Sequence, residues 1–298
     1  MKVSVVVTSY NTSALARRCV DGVLAHKGAH DVQIVVVDDA STDPVRPHLP
    51  PEVEVVVNPT NQGYVRSVNI GVARARGELV FLLDSDAAPL SDIFTPAIAA
   101  FESQPKLGAV GYHLVDEADR PTGNAQPEPT ALGLALGQAL EARFIAVAPA
   151  RFGGDGGPIT IHSCAITFRR AAFEQIGGFD EGFDFLDADT DFSMRLRRAG
   201  WDLAMLDAKV LHAGSGSPQT TAKRVVRFHV NRLRLLEKHG LISHPLLLKG
   251  VLAARHAAEL AIVGGLWTAI GRDPSQRADR LASRKQLLAT VWRSYRAA

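Results

Sequence analysis

Three short, nearly uninterrupted apolar runs, Val3 to Val7, Val32 to Val37 and Leu79 to Leu83, constrain this chain more than any other feature. A strand that is apolar toward both faces must be covered on both, as in a parallel sheet held between layers of helices. Between the first two runs, Asn11, Thr12 and Ser13 offer helix caps, and Leu15, Cys19, Val20, Val23 and Leu24 recur at helical spacing, which makes a βαβ unit. The pattern repeats with a strand at Val53 to Val57 and a helix from Tyr64 to Arg76 that turns Val68 and Val72 inward. The N-terminal third therefore reads as an open, doubly wound sheet. Such sheets take ligands outside the carboxyl ends of their strands, near the point where strand order reverses. Thr8 to Asn11, Asp38 to Asp43 and Asp84 to Asp86 all follow strands in this way.

Beyond Pro105 the periodicity fades and Gly and Pro accumulate as far as Pro158, which predicts loops around one helix near Leu132 to Val147. Gly153 to Gly157 lack the strand-to-helix setting of a dinucleotide fingerprint and read as a loop able to cover a site. A strand is expected at Ile159 to Phe168, a helix at Thr190 to Ala199, and short strands at Leu203 to Leu206 and Lys209 to Leu211. After Pro218 the chain reads as helical, with Val226, Val230 and Leu233 on one face of the first helix.

The net charge of +2 argues for no polyanionic partner by itself, but the charges are unevenly placed. Six of the twelve residues from Asp180 to Asp191 are acidic, whereas six Lys and Arg face the single Glu237 between Lys223 and Lys238. Cys19 and Cys164 have no ligand or disulfide spacing, which fits a reducing cytosol. No secretory signal is read before the strand at Val3. The apolar segment from Ala257 to Gly271 contains Glu259 and is shorter than the roughly 20 residues that a spanning helix needs.

Asp84-Ser85-Asp86 sets two carboxylates directly after a buried strand, where they would be costly unless they met a cation or water. Hard divalent cations such as Mg²⁺ and Mn²⁺ use one or two carboxylates together with phosphate oxygens, so the pair suits a metal-bound diphosphate. The competing reading makes Asp84 a helix cap and Asp86 a solvated turn residue. Asp38 and Asp39 could bind a base or ribose, while Ser41, Thr42 and Asp43 would serve an Asx turn equally well. Cys164, on the same expected strand as His162 and Ser163, reads as a small buried hydrophobe.

Seven blocks in order resemble the signatures of family 2 glycosyltransferases of the bacterial rhamnosyltransferase-like type. They are Val3 to Asn11, Val35 to Asp43, Asn61 to Asn69, Gly77 to Asp86, Gly177 to Glu181, Asp189 to Gly200 and His212 to Ser215. The resemblance implies a GT-A fold, with a mostly parallel doubly wound sheet, and inverting transfer from a nucleoside-diphosphate sugar, UDP- or dTDP-linked, assisted by Mn²⁺ or Mg²⁺. It places Thr8, Tyr10 and Asn11 at the nucleoside, Asp38 and Asp39 at the base, and Asn61, Gly63 and Arg66 beside the donor. Asp84 and Ser85 would lie near the ribose or sugar, and Asp86, Asp84 and His212 on the metal. Asp189 would be the base that takes the acceptor proton, with Asp187 and Asp191 as alternatives within one helical turn. Ala188 stands where the family carries Glu, a departure that leaves acceptor orientation open and admits a silent nucleotide-sugar-binding protein as an alternative. A metal-dependent nucleotidyltransferase is a second alternative, although Thr8 to Asn11 are no Gly-rich phosphate loop.

On this reading residues 1–220 form the catalytic domain, with nucleotide-sugar binding in 1–104 and acceptor binding in 105–220, followed by a basic helical extension in 221–298. The basic helices either pack their stripe on the catalytic domain or meet an anionic acceptor or membrane surface, which would place the protein peripherally at the inner membrane face. No aromatic residues are interleaved for base stacking, so nucleic acid is not expected as a partner.

Overall fold

The computed structural model describes residues 1–137, 159–212, 221–266 and 275–294. The Gly153 to Gly157 loop, the 138–147 part of the helix expected near Leu132, Ala213 to Ser215, and the 267–271 end of the late apolar segment lie outside the described residues. In chain order the elements are β1 (Val3–Ser9), α1 (Ser13–His26), β2 (Val32–Asp38), β3 (Glu54–Val57), α2 (Tyr64–Arg74), β4 (Leu79–Asp84), β5 (Ala87–Pro89) and α3 (Phe94–Ser103). They continue with β6 (Leu107–Val115), β7 (Ala125–Pro127), α4 (Ala131–Leu136), β8 (Ile159–Ile161), β9 (Ala165–Arg169), α5 (Arg170–Gln175), α6 (Ala188–Arg198) and β10 (Asp202–His212). Three long helices follow: α7 (Thr221–Lys238), α8 (Pro245–Ala261) and α9 (Ser275–Ser294).

Two compact units result, Met1–Glu128 with Pro158–Ser217, and Pro129–Gly157 with Pro218–Ala298. The first is built on an eight-stranded sheet in the order β3-β2-β1-β4-β9-β6-β10-β5. Strands β3, β2, β1 and β4 run parallel, as do β6 and β10, whereas β9 runs against both of its neighbours and β5 against β10. The apolar runs do what their lack of alternation requires: all seven residues of β1 and the first five of β4 are buried. The parallel register sets Thr8 beside Asp84 and Ser9 beside Asp38, so the polar residues that end these strands share one edge of the sheet. Gly71 of α2 allows the helix to lie close on the sheet, because a Cβ there would come within 2.5 Å of Val6 Cγ1.

Three local expectations differ from the structure. The strand expected at Ile159 to Phe168 is two strands, parted at His162 to Cys164 where the Asn124 carbonyl accepts from His162 N (2.8 Å) and the Asp189 carboxylate accepts from Ser163 N (3.2 Å). The two short strands after Trp201 are one strand, with a shift of register between Leu206 and Lys209. The stretch after Pro105 holds the interior strand β6, which its glycines disguise: a Cβ at Gly108 would strike Trp201, and one at Gly111 would strike Ile161 and Met205.

Behind the sheet, α6 is anchored by an aromatic cluster in which Phe179 and Phe192 stack at 4.4 Å and Phe168 meets Phe192 edge-on at 5.4 Å. In the second unit, Leu134 of α4, Leu233 and Leu236 of α7, and Leu248 and Leu252 of α8 form one core. The helix at Ala131 thus shares a core with the C-terminal helices. Leu233 of α7 faces this unit's interior and Val226 is buried, whereas Val230, expected beside them, is 37% exposed. Glu259 ties α8 to α9, accepting from Arg284 Nε, and its carboxyl is held down to about 2 by hydrogen bonding with His256 and by Arg284 and Arg255.

Replacing Phe192 by Ala removes the ring shared by both aromatic contacts and is expected to cost about 3–5 kcal/mol in a urea denaturation series. A midpoint equal to that of the wild type would show that the cluster does not anchor α6.

Candidate active site

The carboxyl edge of the sheet gathers most of the polar residues singled out above. Asp38 receives the amides of Ser41 (2.9 Å) and Val45 (2.9 Å), which fixes the turn after β2. The Asp39 carboxylate accepts from Asn58 Nδ2 (2.8 Å), Gln62 N (2.7 Å) and Gly63 N (2.8 Å). Both acids are buried and bonded to the chain itself, so here they shape the pocket's loops. Asn11 has a left-handed φ of 55° and ties the loop after β1 to the turn after β2: Thr42 N donates to its Oδ1 (2.8 Å) and its own amide donates to Ser41 Oγ (2.9 Å). Ser85 Oγ lies 2.8 Å from Thr12 Oγ1. Thr8 is nearly buried beside Asp84, whereas Tyr10 is 51% exposed and presents its ring to the surroundings. Asn61 is exposed, Gly63 precedes α2 with φ 83°, and Arg66 pairs with Glu181 at 3.0 Å.

Asp84, Asp86 and His212 converge, each offering a ligand atom within 4.8 Å of the others. Three separate elements deliver them: Asp84 ends β4, Asp86 directly precedes β5, and His212 ends β10, which pairs with β5. His212 Nε2 lies 3.6 Å from Asp86 Oδ1. Asp84 Oδ1 is shut off from solvent and has no hydrogen-bond partner. Burial pushes the Asp84 carboxyl up to about 7, with the charge of Asp86 adding to the rise, a hydrogen bond from Tyr64 opposing it, and Asp189 contributing further. A buried, unbonded carboxylate oxygen beside a second carboxylate and an imidazole fits a divalent cation, whose charge would offset what the protein leaves uncompensated.

Asp189 stands at the start of α6, and its Oδ2 lies 3.2 Å from both Ser163 N and His162 Nδ1. Tyr64, which sequence reasoning used only as a helix start, links this acid to the cluster: its hydroxyl lies 2.9 Å from Ser163 Oγ and holds down the Asp84 carboxyl by hydrogen bonding. Its place within the Asn61 to Asn69 block was the available signal. Asp191 is fully buried and accepts from Arg195 Nε at 2.6 Å. Asp187 is also buried, in left-handed backbone with φ 64°, and its carbonyl accepts from Asp191 N (2.9 Å). The Asp189 carboxylate turns toward the strand break at His162. Ala188 is buried. Burial and the charges of Asp84 and Asp189 raise the Cys164 thiol well above its usual value, in keeping with an inert side chain.

A curled, mostly parallel sheet with an acidic pair and a histidine at its carboxyl edge is the architecture of GT-A glycosyltransferases. The fold is matched by a mannosyltransferase of Pyrobaculum calidifontis, solved with GDP-mannose and Mn²⁺, at a TM-score of 0.56 and 19% identity over 96% of this chain and 87% of that one. It is also matched by the GalNAc-T7 structure with UDP, GalNAc and Mn²⁺, at a TM-score of 0.56 and 16% identity over 80% of this chain and 48% of that one. Residues 4–177 match glycosyl transferase family 2, and the chain belongs to that family. A glycosyltransferase of Nostoc of uncharacterised specificity is 30% identical over 142 residues, which cover 43% of this chain and 42% of that protein. The chain spans less than half the length of the curated relatives that it first matches.

The raised carboxyl of Asp84 predicts a pH signature. In the metal-free protein an acid whose folded value lies above its unfolded one favours folding below the unfolded value and loses that advantage as pH rises through the folded one. Between the ordinary value of 3.8 and about 7, the wild type should therefore lose stability relative to Asp84→Asn. The melting-temperature difference between variant and wild type should grow across that window and level off above it. A difference that stays flat with pH would refute the buried, charged assignment.

Proposed function

We propose that this glycosyltransferase moves a sugar with inversion from a nucleoside-diphosphate sugar to an acceptor hydroxyl, with Asp84, Asp86 and His212 holding a divalent cation. The single observation that carries the proposal is the orphaned Asp84 Oδ1 inside a three-residue ligand cluster. Such a cation, when bound, supplies the charge that neutralises a departing diphosphate, so that leaving group needs no proton. Mn²⁺ and Mg²⁺ are the ions to test first: the carboxylates suit both, while the imidazole tilts the set toward Mn²⁺.

On this reading the residues divide their work by position. The loops fixed by Asp38, Asp39 and Asn11 hold the donor nucleotide between them, with Tyr10 free to lie against the base, and UDP- and dTDP-sugars are the first candidates. Asp189 takes the acceptor proton as the bond to the sugar forms, because inversion requires a base on the face opposite the leaving group. The Ser163 amide and His162 engage Oδ2, which fixes the carboxylate's orientation without help from the residue at Ala188. Asp191, spent on Arg195, holds the helix start in place.

Two variants separate donor binding from transfer. Asp86→Ala should abolish the Mn²⁺-dependent thermal shift that a nucleoside-diphosphate sugar produces, since only a ligand that binds the folded state raises its stability. Asp189→Asn should keep that shift and lower transfer by about 10²–10⁴-fold, the usual worth of a general base. Transfer retained in Asp189→Asn would reassign the base, and release of pyrophosphate instead of nucleoside diphosphate would replace glycosyl transfer with nucleotidyl transfer.

A further inference from the structure

The second unit contains a helix that is apolar on both sides. In α8, Leu248, Leu252 and the His256 ring are buried against the unit's own core, as an amphipathic helix requires. The opposite side should then be polar, and it is not. Every exposed residue from Pro245 to Ile262 is apolar: Leu246, Leu247, Val251 and Ile262 carry the bulk, with Gly250 and alanines between them. At roughly 100° per residue these positions cover an arc of about 160°. Lys249, Arg255 and Glu259, the helix's charged residues, all fall outside that arc and are only partly exposed.

The bulky members stand well out, with Leu246 80%, Leu247 65%, Ile262 47% and Val251 36% exposed. Four of the ten large apolar side chains exposed among the described residues therefore lie along one helix face. Scattered surface leucines need no explanation, whereas a contiguous apolar face marks an interaction site. Among the described residues no helix is long and apolar enough to cross a membrane, so the face is suited to lying on a surface and not to spanning one.

Charge identifies the surface. Residues 221–298 hold fifteen Lys and Arg against four Asp and Glu, whereas residues 1–220 hold eighteen against twenty-seven. The chain's near-neutral total conceals a C-terminal segment with a large positive excess, and that segment carries the apolar face. A second copy of this chain would bring the same positive excess to the contact and would be repelled. An anionic lipid surface offers acyl chains for the leucines and negative headgroups for the segment's positive excess. We infer that the outer face of α8, centred on Leu246, Leu247 and Val251, docks the protein onto an anionic membrane surface. The sequence expectation offered such contact, as one alternative, to the charged faces of the basic helices, whereas here an apolar face of α8 makes it.

The test is flotation of the full chain with vesicles of phosphatidylcholine alone and of equal parts phosphatidylcholine and phosphatidylglycerol. The wild type should float with the anionic vesicles, less with the neutral ones, and less again at high salt. Leu246→Glu with Leu247→Glu should lower partitioning about tenfold or more while leaving the melting temperature near that of the wild type, since both side chains already stand in solvent. Val251→Glu provides a second variant should the pair fail to fold. Wild-type protein that stays in solution with anionic vesicles, or a folded variant that floats as well as the wild type, overturns the inference. So does a wild-type dimer in light scattering that the variants split without any vesicle binding, which would make the face a contact between copies.

Discussion

A carboxylate oxygen that is sealed from water and bonded to nothing is expensive, and Asp84 Oδ1 is such an atom. It sits at the end of β4, a strand buried along its length between β1 and β9, so the main chain cannot move to relieve it. The elements around it are arranged accordingly. Asp86 and His212 arrive on chain segments joined through the β5–β10 pairing, and Tyr64 reaches the carboxyl from α2. On the proposed reading, the same residue that destabilises the metal-free fold would give the site its affinity for a cation, the usual relation between strained stability and function.

Much of the N-terminal part of the sheet was legible because its information is local. Continuous β-branched runs do not admit a half-exposed strand, so β1, β2 and β4 and the polar residues after them follow from sequence alone. The part from β6 onward was less legible because its signals are tertiary. Gly108 and Gly111 look like loop residues in β6, yet they are required by the side chains of Trp201 and Met205 pressing on the strand. The break at His162 to Cys164 has no Gly or Pro to announce it. Hydrogen bonds that His162 N and Ser163 N donate to residues far away in sequence, Asn124 and Asp189, make it. The Asp207-Ala208 interruption was correctly seen as irregular but is a shift within one strand and not a gap between two.

Asp38 and Asp39 show how a correct position can leave a role open. The pattern located both acids at a strand end, but only the structure reveals that their oxygens are already engaged by backbone amides and Asn58. The acids of the Asp187 to Asp191 run differ in the same way. One is spent on Arg195, one lies in left-handed backbone, and one turns toward His162, distinctions that a string of alternating aspartates cannot display.

The reversed direction of β9 has a consequence of its own. A parallel strand in that place would begin at the far edge of the sheet, but β9 begins where β4 ends, so the turn at His162 to Cys164 meets Asp84 directly: Cys164 O accepts from Asp84 N at 2.9 Å. The chain therefore contributes to one pocket in two separate visits, first with residues up to Asp86 and again after Ile159. Substitutions or exchanges of sequence in the later visit can alter what approaches the pocket while the earlier visit stays intact. On the proposed reading, a lineage could change its acceptor repeatedly without losing its grip on the donor.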